Sequence, residues 1–307
     1  MLKYIFKRLI IGVLTLLILS TITFFGVRAM PGNPFDQDNK VIAPETFQAL
    51  QEKFHLDKSL PEQFLIFLRN AAHGDFGESI SKKGKMVTDI IALRFPVTAK
   101  LGALAFCFAM VVGLTLGIIS ALTKHRWVNS LITFMCTIGI SIPGFLFALG
   151  MMIIFGVKLG WLPVLGLQGP QYYIMPVMAL ALGPIASVTR LTRSSLRDVM
   201  NEDYIILSRS KGNSELRTIV LHGLKNALLP VITYAGPTFA GMITGSMIIE
   251  TLFTVPGIGA EFTNSITNRD YTLVMALTML FGSLVIIMNL ISDIVAAIID
   301  PRIKLGK

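Results

Sequence analysis

Long apolar runs without a charged residue alternate along this chain with shorter polar segments. A helix that crosses the hydrocarbon core of a bilayer needs about 20 consecutive, mostly apolar residues. Because backbone hydrogen bonds must be satisfied internally in lipid, runs of this kind predict helices and not barrel strands. Six such runs occur, at residues 9–27, 101–123, 127–157, 173–189, 226–249 and 271–292. The pattern predicts an all-α membrane protein with six transmembrane helices.

Residues that bend helices, or let them approach closely, interrupt several of these runs. Proline removes a backbone hydrogen bond and clashes with the preceding turn. We therefore expect kinks in the third and fifth runs at Pro143, Gly144, Pro230, Gly236 and Pro237. Close packing of a neighbouring helix is expected at two Gly-x-x-x-Gly pairs, Gly113 with Gly117 and Gly241 with Gly245.

Lys and Arg are distributed unevenly between the segments that connect the runs. With a cytoplasmic N-terminus, the inner segments carry 15 of them, including Arg302, Lys304 and Lys307, whereas the short outer loops carry only Lys158 and Arg269. The other ten lie in residues 28–100, a stretch too long for the rule to count. Since positive residues concentrate on the cytoplasmic side, both termini are expected there.

The runs divide the chain into three parts. Residues 1–27 form an N-terminal tail and the first transmembrane helix, residues 28–100 an extracytoplasmic domain, and residues 101–307 a five-helix core with a long cytoplasmic loop at 190–225. Within the outer domain, amphipathic stretches at 44–54 and 61–73 each begin with a proline suited to a helix start. This domain is either a plain solvated linker or a docking surface.

The cytoplasmic loop contains the signals of a short helix. Glu202 and Asp203 precede a short stretch that Gly212 follows, which is the usual arrangement of acidic N-terminal and glycine C-terminal caps. Upstream, Arg190, Arg193 and Arg197 fall on one helical face, where arginines commonly anchor to lipid headgroups. These features alone predict a short helix on the inner face of the membrane.

Composition excludes several classes of protein. Of 307 residues 53% are apolar and only 15% charged, with a mean hydropathy of +0.69, whereas soluble domains carry about 25% charged residues. The net charge of +9 follows the membrane orientation, and no basic run is interleaved with aromatic residues as nucleic-acid binding would favour. Cys107 and Cys136 lie in apolar runs, where we expect them to be buried rather than in a disulfide or metal site.

The usual sources of transport energy are also absent from the sequence. Ion-coupled transporters place ionisable residues inside their spans, but here Glu250 and Asp293 lie only at the edges of the runs. No G-x-x-x-x-G-K-[ST], G-x-S-x-G or H-E-x-x-H motif occurs, so neither ATP binding nor hydrolase chemistry is indicated. A transporter of this composition must be driven by partner proteins. An intramembrane enzyme and a non-transporting receptor or assembly factor stay open as alternatives.

Motifs along almost the whole chain resemble those of one family. In chain order they are MLKYIFKRLI, MPGNPF, HGDFGESI, LRFPVTAKLG, SIPGF, RLTRSSLRDVMNEDYI, GPTFAGMITGSMIIETLFTVPGIG, NRDYTLVMALT and DPRIK. Together they resemble the permeases of the oligopeptide/dipeptide/nickel class of ATP-binding-cassette (ABC) importers, in particular the first, B-type permease of oligopeptide systems.

The resemblance implies an architecture and a set of partners. It implies the type I ABC importer fold and a transport subunit without its own ATPase site, metal or cofactor. The partners would be a second homologous permease, two cytoplasmic ATPase subunits that bind ATP and Mg²⁺, and an extracytoplasmic peptide-binding protein. Oligopeptides are the expected substrate, with dipeptides, antimicrobial peptides, nickel chelates and small glycosides as alternatives.

The resemblance also assigns candidate site residues. Gly212 and Leu229-Pro230 match the glycine and the later L-P of the family's coupling loop, whereas Ile206, Leu207 and Ser208 replace its E-A-A and the gap to Pro230 is longer. ATPase contact is expected from Glu202, Asp203, Tyr204, Ser208, Arg209, Lys211 and Gly212. A weakly polar translocation path, chosen on polarity alone, is expected to include Thr133, Thr137, Ser141, Thr244, Ser246 and Asn289.

Overall fold

A computed structural model describes residues 2–35 and 43–299, which are helical apart from turns, loops and one isolated bridge between Glu78 and Met86. The helices are α1 (Leu2–Arg28), α2 (Pro44–Lys53), α3 (Leu60–Ala72), α4 (Val87–Leu122), α5 (Arg126–Ser141), α6 (Gly144–Met151), α7 (Ile174–Met200), α8 (Asp203–Ser210), α9 (Glu215–Arg217), α10 (Lys225–Ala227), α11 (Leu229–Ile243), α12 (Met247–Leu252), α13 (Ile258–Thr267) and α14 (Tyr271–Ile299). The predicted all-α class is confirmed. Arg302, Lys304, Lys307 and the DPRIK motif lie outside the described residues.

Four of the described helices are long and apolar enough to cross a membrane, namely Tyr4–Arg28, Val87–Leu122, Pro170–Met200 and Tyr271–Ile298. Two helix pairs meet the same criterion but are bent, Arg126–Ser141 with Gly144–Lys158 by 103° and Glu215–Ala227 with Leu229–Leu252 by 51°. The described part of the chain therefore holds up to six spans if each bent pair is one.

The bends coincide with two of the predicted proline positions. Pro143 is the residue before α6, and Pro230 occupies the first turn of α11. At the start of a helix the missing proline N–H has no intrahelical partner to lose, so each proline begins a new segment at little cost. Pro237 instead lies inside α11, which continues through it.

The α4–α7 pair forms the centre of the bundle. A Cβ on Gly113 would lie 2.8 Å from the Cβ of Val188, and one on Gly117 would lie 2.5 Å from the Cβ of Thr192. These two glycines therefore allow the backbones to approach as closely as the sequence predicted. The hydroxyl of Thr189 crosses the same interface and donates to the Gly113 carbonyl at 3.2 Å.

The second glycine pair does not serve as a helix contact, so that prediction was wrong. Beyond its own helix backbone, no atom of the described residues lies within 4 Å of a Cβ built on Gly241. Gly245 has a φ of +89° and belongs to the turn between α11 and α12, where a left-handed backbone favours glycine. The spacing matched the motif, but only one of the two residues is packed.

Around the central pair, α5 and α6 pack on α7, while α14 packs on α1 and α11. The ends of α1 and α14 are joined by Asp293, which accepts from the Tyr4 hydroxyl at 2.8 Å and pairs with Arg8 at 2.8 Å. Cys136 is buried as expected, whereas Cys107 is exposed on α4.

The segment before α4 has its own small core. Helices α2 and α3 confirm the two amphipathic stretches that the sequence indicated. Phe35 and its ring neighbours Phe47 and Phe54, at 5.9 and 6.0 Å, pack in a cluster with Val27 and Tyr271. Because α4 begins at Val87, its first turns belong to residues 28–100 and carry the bundle beyond the apolar run.

Candidate functional site

The loop at residues 190–225 begins on a helix, α7, that is tied to its neighbours. Arg193 donates to the hydroxyl of Thr133 on α5 at 2.9 Å, and Arg197 donates to the Ser120 carbonyl on α4 at 3.3 Å. Two of the three arginines on this face of α7 thus contact protein, while Arg190 is exposed. The ends of α4, α5 and α7 are thereby linked where α8 begins.

Helix α8 is held by a buried inner face. Ile205 is fully buried, and Ser208 is 6% exposed with its hydroxyl 3.1 Å from that of Thr218. Asn213 also donates to Ser208 at 3.1 Å, and Asn226 donates to the Tyr204 hydroxyl at 2.9 Å. Ser208 was expected to contact the ATPase, but in this fold it faces inward and positions α8 against the segment that follows α9.

Gly212 closes α8 in the conformation that the caps predicted. Its φ is +78°, in the left-handed region that costs a residue with a Cβ roughly 1–2 kcal/mol. Among the described residues, and apart from its chain neighbours, no atom lies within 4 Å of a Cβ built at this position. The requirement for glycine within the chain is therefore one of backbone conformation and not of internal space.

The outer face of α8 presents apolar side chains that the sequence interpretation did not count as contacts. Ile206 and Leu207 are each 53% exposed, and Leu216 is 74% exposed. Around them lie charged and polar side chains, all exposed, namely Glu202, Asp203, Tyr204, Arg209 and Lys211. Arg209 and Glu215 form a bidentate pair at 3.0 and 2.7 Å. An apolar centre with a charged rim, on a segment too polar for lipid, is typical of a protein docking surface.

A buried carboxylate lies at the opposite end of the fifth apolar run. Glu250 has no exposed surface; it accepts from the Thr98 hydroxyl at 2.8 Å and from the backbone N–H of Ala260 at 3.1 Å. Thr98 in turn accepts from the Ile258 N–H at 2.8 Å. The sequence interpretation placed Glu250 at the edge of a helix, but the structure places it at the junction of α4, α12 and α13.

Glycines surround this carboxylate at close range. A Cβ at Gly259 would lie 3.0 Å from a Glu250 oxygen, and Gly245 and Gly257 face the same carboxylate even more closely. A side chain at any of the three would displace Glu250 or Thr98. The glycines of the VPGIG motif are therefore required by the approach of this carboxylate, a reason that no local pattern reveals.

A second buried carboxylate, Asp270, joins the segment before α4 to α14. It accepts from the hydroxyl of Ser79 and from the backbone N–H groups of Ile80 and Ser81, both at 3.1 Å. It also accepts from the Leu273 N–H at 3.1 Å, as the N-terminal cap of α14. Asp270 is fully buried, and its many donors replace the water that it loses.

A third carboxylate, Glu261 on α13, completes this cluster. It forms ion pairs with Lys82 and, at 3.4 Å, with Arg94, and it is only 6% exposed. One layer beside α13 therefore brings together parts of four quoted motifs, namely HGDFGESI, LRFPVTAKLG, VPGIG and NRDYTLV. The sequence signal for this layer was the acidic residues of HGDFGESI and NRDYTLV, together with Glu250 in the longer motif that ends in VPGIG, and it was not used.

The six polar residues chosen for a translocation path are not brought together within this chain. Thr133, Thr137 and Ser141 are exposed on α5, which packs on α7 and α4. Ser246 accepts from the Ile249 N–H as the cap of α12, and Thr244 donates to the Gly241 carbonyl. Asn289 lies on α14, which packs on α1 and α11; its side-chain oxygen is buried without a hydrogen-bond partner.

A cavity of about 630 Å³ lies elsewhere, between α4 and the segment that leads into α7. Its wall is mostly apolar and includes Leu104 and Phe108. Among the described residues of this wall Lys100 alone is charged, and its ammonium lies 4.9 Å from the ring centroid of Tyr173. None of the six residues chosen on polarity lines this cavity.

Known proteins resemble this chain over nearly its whole length. The chain is 45% identical over 307 residues to the oligopeptide transport system permease protein OppB of Haemophilus influenzae, covering 99% of this chain and 100% of that protein. It is 44% identical over 307 residues to the protein of the same name from Salmonella typhimurium, with the same coverage.

One solved structure has a similar fold, and two family descriptions match parts of the sequence. The fold is similar to a chain of the MetNI methionine ABC transporter in an inward facing conformation, with a TM-score of 0.54 and 18% identity, covering 69% of this chain and 97% of that one. Residues 113–305 match the family described as binding-protein-dependent transport system inner membrane component, and residues 1–102 match its N-terminal region. The two family matches and the 45% identity over 307 residues to a permease protein show that the chain belongs to the family of binding-protein-dependent transport system inner membrane components.

Proposed function

We propose that this chain is the transmembrane permease subunit of an ABC importer and forms, with a second homologous permease, the translocation path for oligopeptides. The observation that carries the proposal is the 45% identity over 307 residues to an oligopeptide permease. Dipeptide permeases match at 38%, against 43–45% for oligopeptide permeases, which favours oligopeptides over the dipeptide, antimicrobial-peptide and nickel-chelate alternatives.

In the proposed topology each bent pair is one span, so the chain crosses the membrane six times with both termini in the cytoplasm. The Lys and Arg asymmetry supports this orientation. Residues 1–27 are then the tail and first span, residues 28–100 the extracytoplasmic domain that meets the peptide-binding protein, and residues 101–307 the permease core with its coupling loop at 190–225.

The coupling loop seats α8 on a cytoplasmic ATPase subunit. Ile206 and Leu207 supply the apolar centre of the contact, and the polar rim defined by Glu202, Asp203, Tyr204, Arg209 and Lys211 supplies specificity. Two ATPase subunits bind ATP and Mg²⁺, while this chain binds no cofactor and catalyses no reaction. Gly212 and Ser208 keep α8 in the shape that fits its partner.

Motion at α8 reaches the far side of the membrane through the fifth span. The Tyr204–Asn226 and Ser208–Thr218 contacts tie α8 to the start of that span. At its other end Glu250 is hydrogen-bonded to Thr98 on α4. When ATP binding draws the ATPase subunits together, α8 moves with them, and the span carries the displacement to the outer layer around α13. A central path then opens outward, and hydrolysis resets it.

The cavity beside Lys100 is a better candidate for part of the path than the six polar residues named from the sequence, because its lining is continuous in the fold. Its volume of about 630 Å³ falls within the range typical of ligand pockets. Peptides vary in their side chains, and a mostly apolar wall accepts different side chains without reading their sequence. Thr133, Thr137, Ser141, Thr244, Ser246 and Asn289 stay proposed contacts of a path that the second permease completes.

Reconstitution tests the proposed function. Vesicles that contain this chain, the second permease and the two ATPase subunits, supplied with loaded binding protein outside, should accumulate a labelled hexapeptide only with ATP inside. The chain alone should hydrolyse no ATP. Vesicles without the binding protein are the control and should show little uptake. ATP hydrolysis by the isolated chain, or no peptide uptake by the complete assembly, would contradict the proposal.

A further inference from the structure

A separate cavity of about 180 Å³, which shares no lining residue with the cavity at Lys100, lies between the end of α1, the start of α14 and helix α3. The residues that matter most in its wall are Phe24 and Arg28 of α1, Gln63 and Phe67 of α3, and Tyr271 of α14. The proposed transport mechanism uses none of them.

Arg28 brings to this cavity a guanidinium without an ion-pair partner in the described ranges, and the wall also contains the Lys53–Glu78 ion pair and Asp75. Its guanidinium carbon lies 5.0 Å from the ring centroid of Phe24 and 4.6 Å from that of Tyr271. Within the described ranges it forms no ion pair or hydrogen bond. Ring contacts stabilise the cation through its faces but leave the N–H donors along its edge free, and that edge matches a carboxylate or phosphate.

Gln63 brings an unmatched acceptor. The residue is 7% exposed, and its amide nitrogen donates to the Lys58 carbonyl at 2.8 Å. Its side-chain oxygen is buried and receives no hydrogen bond in the described part of the chain. A buried acceptor without a donor costs free energy, so a bound group that supplies a hydroxyl or ammonium proton would remove this cost.

The surroundings indicate where such a group comes from. Helix α3, which lines the cavity, has Leu60 and Leu65 44% and 65% exposed. The ring of Phe64 on the same helix contacts the ring of Phe25 in a tilted arrangement, and Phe25 is 44% exposed on the outward face of α1. A helix that shows leucines beside the exposed face of a transmembrane helix is suited to lie in the membrane interface. The cavity then opens at the level of the lipid headgroups.

We propose that this cavity binds the headgroup of an anionic phospholipid that carries a hydroxyl, such as phosphatidylglycerol. The phosphate pairs with the edge of the Arg28 guanidinium, and a headgroup hydroxyl donates to the side-chain oxygen of Gln63. At roughly 30 Å³ per water, the volume corresponds to about six water molecules, enough for a phosphate and a small substituent. The bound headgroup ties α3 to α1 and α14 and so stabilises the segment that meets the binding protein.

Native mass spectrometry of the assembled importer tests this site. Complexes extracted from nanodiscs that contain phosphatidylglycerol should retain one more of these lipids in the wild type than in Arg28→Gln. We expect at least about tenfold weaker binding in that variant, from the loss of a charged hydrogen bond. Arg28→Lys, which keeps the charge but not the planar fork, should fall between. Arg69→Gln, which removes an exposed cation from helix α3, is the matched control and should bind as the wild type does.

Two further arms separate the sources and the contacts. Phosphatidylmethanol, which has the phosphate but no headgroup hydroxyl, should bind more weakly than phosphatidylglycerol if Gln63 accepts the hydroxyl. Soluble glycerol 3-phosphate should not displace the lipid. Equal lipid retention by the wild type and Arg28→Gln would overturn the proposal. So would displacement by glycerol phosphate, or cross-linking of Arg28 to an acidic side chain of the binding protein.

Discussion

Replacement of Gly212 by valine perturbs the coupling loop at one defined point. The residue has a φ of +78° after the C-cap of α8, and in the described part of the chain no atom beyond its neighbours in sequence lies within 4 Å of an added Cβ. The substitution therefore causes no internal clash. Its effect within this chain is confined to the backbone preference, which for a β-branched residue opposes the left-handed region.

The size of the effect follows from that preference. Placing a residue with a Cβ in the left-handed conformation costs roughly 1–2 kcal/mol, which reduces the population of the docking-competent loop about five- to thirtyfold. A close-packed cleft on the ATPase would add a steric term to this. Because the spans are not touched, we expect Gly212→Val to insert and to pair with the second permease normally, but to bind ATPase subunits more weakly or to uncouple hydrolysis from uptake.

Two further variants separate conformation from bulk. Asparagine tolerates the left-handed region better than alanine but is larger. If the backbone conformation decides the effect, Gly212→Ala should reduce ATPase binding at least as much as Gly212→Asn does. If a tight cleft on the ATPase decides it, the larger Gly212→Asn should reduce ATPase binding more. Gly74→Val is the matched control, since Gly74 has a φ of +75°, equally open space and a position after α3, in the segment proposed to lie outside the membrane.

The assay is pull-down of the ATPase subunits beside peptide uptake in the same vesicles. Glu215→Gln is unsuitable as a control because Glu215 forms the bidentate pair with Arg209. Wild-type assembly and uptake by Gly212→Val would show that the transmission point lies elsewhere. An equal loss in Gly74→Val would show that the effect is general destabilisation.

Three other expectations can be checked independently. Thr98→Val leaves a Glu250 oxygen without its donor and should cost roughly 1–3 kcal/mol, seen as a lower melting temperature of the solubilised complex, whereas an unchanged value would contradict the hydrogen-bonded junction. In a cysteine-free background, His55→Cys should react with an impermeant maleimide in intact cells and Ser210→Cys only after lysis; labelling from the same side would refute the six-span topology. Hydrogen bonds from a lysine ammonium and, to a smaller extent, from a backbone N–H lower the pKa of the Glu78 carboxyl. The contribution of Glu78 to stability is therefore present at neutral pH and is lost as the pH falls through that lowered pKa. Pepsin cleavage of the α2–α3 segment should therefore rise below about pH 4.3 in the wild type and respond less to pH in Glu78→Gln.

Features set by neighbouring residues were predictable from the sequence. The apolar runs mark helices because a bilayer imposes a length, and the bends fall at Pro143 and Pro230 because proline acts on its own turn. Gly212 was correctly expected to follow a short helix in a left-handed conformation, since helix caps are local. The close helix contact at Gly113 and Gly117 was predicted correctly because this short periodic motif faces a partner helix.

Features set by distant residues were not predictable in the same way. Glu250 looked like an ordinary residue at the edge of a span, but its burial depends on Thr98, which lies 152 residues earlier. The path residues were chosen by polarity, and the structure spreads them over helices that pack on different sides of the bundle. Gly241 matched the same spacing as Gly113 yet faces open space, because periodicity does not specify which helix lies opposite.

Docking of α8 onto an ATPase subunit is tested most directly by a photo-cross-linking amino acid placed at Ile206, which is 53% exposed at the apolar centre of the proposed contact. In the assembled importer, illumination should join this chain covalently to an ATPase subunit, and the yield should change when ATP is bound. The same probe at Leu93, 69% exposed in the first turns of α4, should give no ATPase adduct. Absence of an ATPase adduct at Ile206, or an equal yield at Leu93, would contradict a partner-driven mechanism acting through α8.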